Sequence, residues 1–172
     1  MKVVATIEGR LNSKRLPKKL LYTLGGTTII EFLIKRLKKA RLIDSIVIAT
    51  TKRKIDENLV KIAKKNKIKY YRGSENNVLK RVYEAANKHH ADIIVQVSGD
   101  SPLTDPEIID AWIKIFKKIK PDIFSEGWGE LPSGVTAPII NIKALKKSLE
   151  LTNNKSDLEH VTRFIFRNPK IF

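Results

Sequence analysis

The sequence predicts an α/β fold, a mainly parallel sheet with helices on both faces, and three observations carry that expectation. Short β-branched apolar runs recur along the chain, and segments with apolar residues at helical spacing separate them. No repeat or low-complexity linker interrupts the alternation. At 172 residues the chain is long enough for one domain with its own core, and we read 1–172 as a single domain.

The elements follow in order. Residues 2–7, KVVATI, form a short apolar run expected as a buried strand, and a polar loop rich in Arg and Lys follows to about Lys19. Ile29, Leu33 and Leu37, with Ile30 and Ile34 beside them, predict a helix over 27–41. SIVIAT (45–50) predicts a second strand. Leu59, Ile62 and Ala63 mark a helix ending near Asn66, and 69–72 is a short third strand. Val78, Val82 and Ala86 share one face of a helix over 77–90, and DIIVQV (92–97) is the most strand-like run of all. Asp105 and Pro106 form an N-cap and first-turn pair for a helix buried through Ile108, Ile109, Trp112, Ile113 and Phe116. Strand candidates at 122–125 and 138–142 flank a Gly-rich segment, 127–134, and a helix over 157–166 follows.

Composition narrows the chemistry. With no cysteine, a disulfide framework, a thiolate zinc site and a cysteine nucleophile are all excluded. Three histidines, two of them adjacent, argue against a multi-histidine metal site. No apolar stretch approaches the roughly 20 residues of a membrane span, and the first residues lack the h-region of a signal peptide, so a soluble cytoplasmic protein is expected. The net charge of +16 fits an anionic partner. Much of it also reads as lysine-coated helix faces, as in KRLKKAR and KIFKKIK. Aromatic residues do not interleave with these runs as a nucleic-acid groove requires, and no helix-turn-helix or ribonucleoprotein motif is present. Neither a nucleic-acid nor a membrane partner is expected.

Ligands of such sheets bind beyond the carboxyl ends of the strands, where the loops 8–19, 73–77 and 98–105 gather. In the first loop, Gly9 lets backbone approach a ligand, Arg10, Arg15 and Lys19 supply three cations for one anionic group, and Ser13 adds a hydroxyl donor. A solvated basic loop is the competing reading of the same residues. In the third loop Asp100 supplies the opposite charge, suited to a Mg²⁺ ion that bridges nucleotide phosphates.

The motif Arg10-x-x-Ser13-x-Arg15-Leu16-Pro17-x-Lys19 resembles the N-terminal signature of the cytidylyltransferases that activate sugar acids, the acylneuraminate and 3-deoxy-manno-octulosonate enzymes among them. The spore-coat polysaccharide branch is closer still. There the resemblance extends to Ala49-Thr50-Thr51, to Arg72-Gly73-Ser74-Glu75-x-x-Val78-Leu79-x-Arg81, to Asp100-x-Pro102-Leu103-x-Asp105-Pro106 and to Glu159-His160-Val161-Thr162. It implies a Rossmann-like nucleotide-diphospho-sugar transferase fold and transfer of CMP from CTP to a sugar or sugar acid with release of pyrophosphate. On that pattern Arg10, Ser13, Arg15 and Lys19 cradle the triphosphate, Arg15 and Lys19 act at the reacting phosphates, Asp100 binds Mg²⁺, and Ser74 to Arg81 shape the nucleotide site. A surface cation is the alternative for Arg81, and a homodimer is left open.

The chain departs from the pattern at several places. Lys18 stands where relatives usually carry Gly, Asn76-Asn77 replaces an Asp pair, and Thr136 and Pro138 occupy positions that tend to be acidic. Relatives continue past Phe172 with a strand and a Val-Asp-Thr-Pro-type turn, whose Asp is a second metal ligand, so this chain is expected to lack that extension. Two further functions stay open at this stage: a nucleotide-binding protein without catalysis, and a related sugar nucleotidyltransferase using another nucleoside triphosphate.

Overall fold

The computed structural model describes residues 1–13, 15–126 and 131–172. Its sheet has six strands in the order β5-β4-β1-β6-β8-β7. They are β1 (Val3–Glu8), β4 (Ser45–Thr51), β5 (Lys69–Gly73), β6 (Ile93–Ser98), β7 (Ile123–Phe124) and β8 (Ile139–Asn141). The first four run parallel, while β8 pairs antiparallel with both β6 and β7. A hairpin of β2 (Thr23–Leu24) and β3 (Thr27–Thr28) stands apart, turned by Gly25 and Gly26.

Alternation along each strand assigns its side chains to two cores. Val3, Ala5 and Ile7 of β1, Ile46 and Ile48 of β4, and Val95 and Val97 of β6 pack with α1 (Ile29–Leu37), α2 (Glu57–Lys65) and α4 (Pro106–Ile119). Val4, Val47, Ala49 and Ile94 face the other way, onto α3 (Val78–Lys88) and α5 (Ile142–Leu151). Two short helices, α6 (Lys155–Glu159) and α7 (Arg163–Arg167), join that second layer, with Val161 and Ile165 buried in it. Among the described residues no helix is long and apolar enough to cross a membrane.

Helices covering both faces of a mostly parallel sheet are what the alternation predicted. The corrections are local. The helix expected over 27–41 begins at Ile29, because Thr28 caps it: the Thr28 hydroxyl accepts the Glu31 N–H while Glu31 reaches back to the Thr28 N–H. It ends at Leu37, and a turn through Ala40 carries the chain toward β4. The helix expected over 157–166 is two helices with His160–Thr162 between them. Helix α5 escaped the periodicity reading. Its fully buried residues are Ala144, Leu145 and Ser148, with Ile142 and Leu149 packed partly buried beside them, and Asn141 is a proper N-cap that accepts the Lys143 N–H at 3.0 Å. Asp105 caps α4 as its sequence suggested, accepting from Glu107 and Ile108. Residues 127–130 of the Gly-rich segment, and Lys14 of the first loop, lie outside the described residues.

The strand order matters for the site. From β1 the chain moves outward to β4 and β5, then returns to place β6 on the opposite side of β1. The two directions of winding part at the carboxyl ends of β1 and β6, where such sheets open a crevice.

Candidate active site

A cleft of about 500 Å³ opens at that crevice. Its floor is Glu8 and Gly9 from the end of β1 and Ser98, Gly99 and Asp100 from the end of β6. One wall is the first loop, with Arg10, Ser13, Arg15, Lys19 and Leu20. The opposite walls are Val78 and Arg81 of α3 and Glu159 with His160 at the end of α6. The residues expected from sequence at Gly9, Arg10, Ser13, Arg15, Lys19, Arg81 and Asp100 therefore line one cleft. Ser74 lies beside it, in an adjoining cleft of about 410 Å³ that shares Arg10, Val78 and Glu159.

Asp100 is the centre of the polar network. The Lys19 ammonium donates to its Oδ2 and the Ser98 hydroxyl to its Oδ1. Burial works to raise the Asp100 pKa, but the hydrogen bonds from Lys19 and Ser98 outweigh it and hold the carboxyl below its ordinary value. Asp100 is thus ionised at neutral pH. One ionised carboxylate faced by cations and hydroxyls suits Mg²⁺ shared with phosphate oxygens better than a metal caged by protein alone. Among the described residues no three acidic or histidine side chains converge as such a cage would need.

Arg81 is not a surface cation. It is 2% exposed, its Nε donates to the Ala49 carbonyl at 3.3 Å and its NH1 donates to the carbonyls of Ser74 and Glu75. These bonds tie the end of β4 to the loop that follows β5. Burial lowers its pKa, Glu8 counters that, and Arg10 adds to it. Ser74 spends its hydroxyl on the Asn77 N–H at 3.1 Å, just before α3. Arg10 lies 3.9 Å from Glu75, which also pairs with Arg53 at 2.6 Å.

The glycine at position 9 has a second purpose. A Cβ there would stand 2.7 Å from Cδ1 of the buried Leu20, so a side chain at this position would require Leu20 to repack. Gly99 is the stricter position, because the obstacle is backbone: a Cβ would lie 2.9 Å from the Glu8 carbonyl, which accepts the Gly99 N–H at 2.8 Å.

Sequence reasoning missed Glu8. Opposite Ala49 and Ser98 in the sheet, it points to the α3 side, and its Oε2 is buried without a hydrogen-bond partner. Burial raises its carboxyl to about 7, Arg81 opposes the rise, and Asp100 adds to it. A glutamate closing an otherwise apolar strand was the available signal. Glu159 and His160 belonged to a matched motif, but nothing in the spacing told that they face Asp100 across a cleft.

The profile of the family described as cytidylyltransferase matches residues 4–172. The chain belongs to the cytidylyltransferase family. Its members are sugar cytidylyltransferases, which are enzymes. This cytidylyltransferase is 37% identical over 172 residues to the uncharacterized protein MJ1063 of Methanocaldococcus jannaschii, covering 100% of this chain and 70% of that one. To the spore coat polysaccharide biosynthesis protein SpsF of Bacillus subtilis it is 27% identical over 180 residues, covering 99% and 72%. A 3-deoxy-manno-octulosonate cytidylyltransferase of Pelobacter propionicus is 34% identical over 114 residues, 66% of this chain and 44% of that protein. Among solved structures, a cytidylyltransferase from Leptospira borgpetersenii superposes with a TM-score of 0.94 at 31% identity, over 100% of this chain and 74% of that one.

Proposed function

We propose that this cytidylyltransferase transfers CMP from CTP to a sugar or sugar acid in the cytoplasm. The observation that carries the reading is the ion pair of Lys19 and Asp100 at the crevice between β1 and β6, with Arg10, Ser13 and Arg15 around it. A cation and an anion that neutralise each other across a cleft are ready to exchange partners for a metal–triphosphate. The Lys19 ammonium then meets phosphate oxygens, as do the Arg10 and Arg15 guanidiniums and the Ser13 hydroxyl. Arg81 and Ser74 act from behind by fixing the loop that borders the nucleoside.

In the reaction a hydroxyl or carboxylate oxygen of the sugar attacks the α-phosphorus. An O–P bond forms, the bond from the α-phosphorus to the bridging oxygen breaks, pyrophosphate leaves with that oxygen, and the proton of a hydroxyl nucleophile is lost to solvent. Asp100 is the residue that would hold Mg²⁺, and the ion would supply charge neutralisation at the phosphates. Arg15 and Lys19 add positive charge where the departing pyrophosphate gains negative charge, and the narrow floor at Gly9 and Gly99 keeps the triphosphate against backbone.

A thermal-shift panel with Mg²⁺ tests the choice of nucleotide. CTP should raise the melting temperature more than ATP, GTP or UTP does. Equal shifts for all four would reduce the cleft to a general phosphate site and contradict the cytidine assignment.

A further inference from the structure

Asp56 ends a short 3-10 turn, Lys54–Asp56, that runs directly into α2, and its own backbone is helical there. Its carboxylate makes no bond to the amides of that helix. Oδ1 instead accepts the Leu11 N–H at 2.7 Å, Oδ2 accepts the Thr51 hydroxyl, and the residue is fully buried. The side chain is turned instead toward a loop 45 residues earlier.

Leu11 is where that loop both begins and closes. Its side chain is buried in the same core as Leu20 and Leu59, and its carbonyl accepts the Lys18 N–H at 2.9 Å. The stretch from Leu11 to Lys18 is therefore a clasp with both ends at one residue. Arg10 and Lys19 are the residues just outside it. Whatever fixes the Leu11 peptide fixes the spacing of these two cations.

We propose that Asp56 is a positioning residue for the anion-binding loop, its buried carboxylate holding the Leu11 amide and through it Arg10 and Lys19. The proposal rests on the reading that these cations bind a triphosphate. Asp56 touches no substrate and acts through the backbone alone. A misplacement of either cation weakens phosphate binding without touching the residues that make the contact.

The test measures binding of inorganic tripolyphosphate and of CTP, each with Mg²⁺, to the full chain, alongside melting temperatures without ligand. The variants are Asp56→Asn, Asp56→Ala and Thr51→Val. In Asp56→Asn the amide oxygen still accepts from Leu11 and its NH₂ donates to Thr51, so affinity should stay within about threefold of wild type. Asp56→Ala should bind at least about tenfold more weakly, whereas Thr51→Val should lose melting temperature and keep affinity within about twofold. Wild-type affinity in folded Asp56→Ala would overturn the proposal. So would losses in Asp56→Ala and Thr51→Val that simply track their melting temperatures, or an Asp56→Asn as weak as Asp56→Ala. Should Asp56→Ala lack a cooperative melt, Asp56→Asn decides together with the exchange rate of the Leu11 amide. Slow exchange with retained affinity supports the proposal, and fast exchange with retained affinity contradicts it. A wild-type chain that binds neither phosphate would instead bring down the site reading itself.

Discussion

The Lys19 ammonium and the Asp100 carboxylate, 81 residues apart in the chain, meet as an ion pair within the cleft. Both side chains are about a third exposed, at 29% and 35%, so the pair contributes little to stability and is free to part. Removing either member should therefore leave the fold intact and change ligand binding. Lys19→Ala and Arg15→Ala should each weaken CTP binding by about 1.5–3 kcal/mol with melting temperatures nearly unchanged. Asp100→Asn should abolish most of the Mg²⁺ dependence of CTP binding. Unaltered affinity in calorimetry would reduce these residues to surface charge.

Glu8 sets a pH dependence of opposite sign to that of most carboxylates. Its pKa is about 7 in the folded chain against an ordinary 4.5, so between these values the folded state holds the extra proton. Stability then falls as pH rises from the lower to the higher value, and the deficit persists above it. Glu8→Gln removes the deficit. The variant should be more stable than wild type by about 1–3 kcal/mol near pH 8 and equal to it near pH 4. Chemical denaturation at both pH values checks this, and an identical difference at each would refute the buried-carboxyl account.

Glu31 behaves in the reverse sense. The Lys65 hydrogen bond, at 2.8 Å, and the Thr28 bonds pull its carboxyl down to about 2 against the burial that opposes them. The stabilisation is complete above about 4.5 and is lost as pH falls toward 2. Because Lys65 is 75% exposed, solvent screens the pair. Glu31→Gln should cost about 1 kcal/mol at neutral pH and nothing near pH 2. A deficit that persists at low pH would assign the loss to packing.

Lys18 offers a stabilising change. It stands in the left-handed region at φ 55, closing the clasp onto Leu11. A lysine pays a steric penalty there that glycine does not. Lys18→Gly should therefore stabilise the chain by about 0.5 kcal/mol, net of glycine's greater freedom when unfolded, while CTP affinity is retained. A lower melting temperature would show that the Lys18 side chain contributes contacts of its own.

The chemistry of the cleft was legible wherever residue type and a neighbouring strand sufficed. Arg10, Ser13, Arg15 and Lys19 follow β1, and Asp100 follows β6, so the ends of two apolar runs locate them. Lys18 was legible as a departure, and its φ supplies the physical reason that glycine suits the position. Glu8, Asp56 and the burial of Arg81 were not legible. Each takes its meaning from partners brought close by the sheet order, such as Ala49 for Arg81 and Leu11 for Asp56. Helix α5 was hidden for a different reason, because its apolar residues Ile142, Leu145 and Leu149 alternate with lysines and only Ala144, Leu145 and Ser148 are fully buried.

Release of pyrophosphate from CTP tests the central claim most directly. The full chain is incubated with CTP, Mg²⁺ and a panel of sugars and sugar acids, and pyrophosphate is measured for wild type, Lys19→Ala and Asp100→Asn. The account predicts release that needs both an acceptor from the panel and Mg²⁺, and that falls by at least about tenfold in each variant. CTP binding without pyrophosphate release for any acceptor, or release that survives both substitutions, would contradict it.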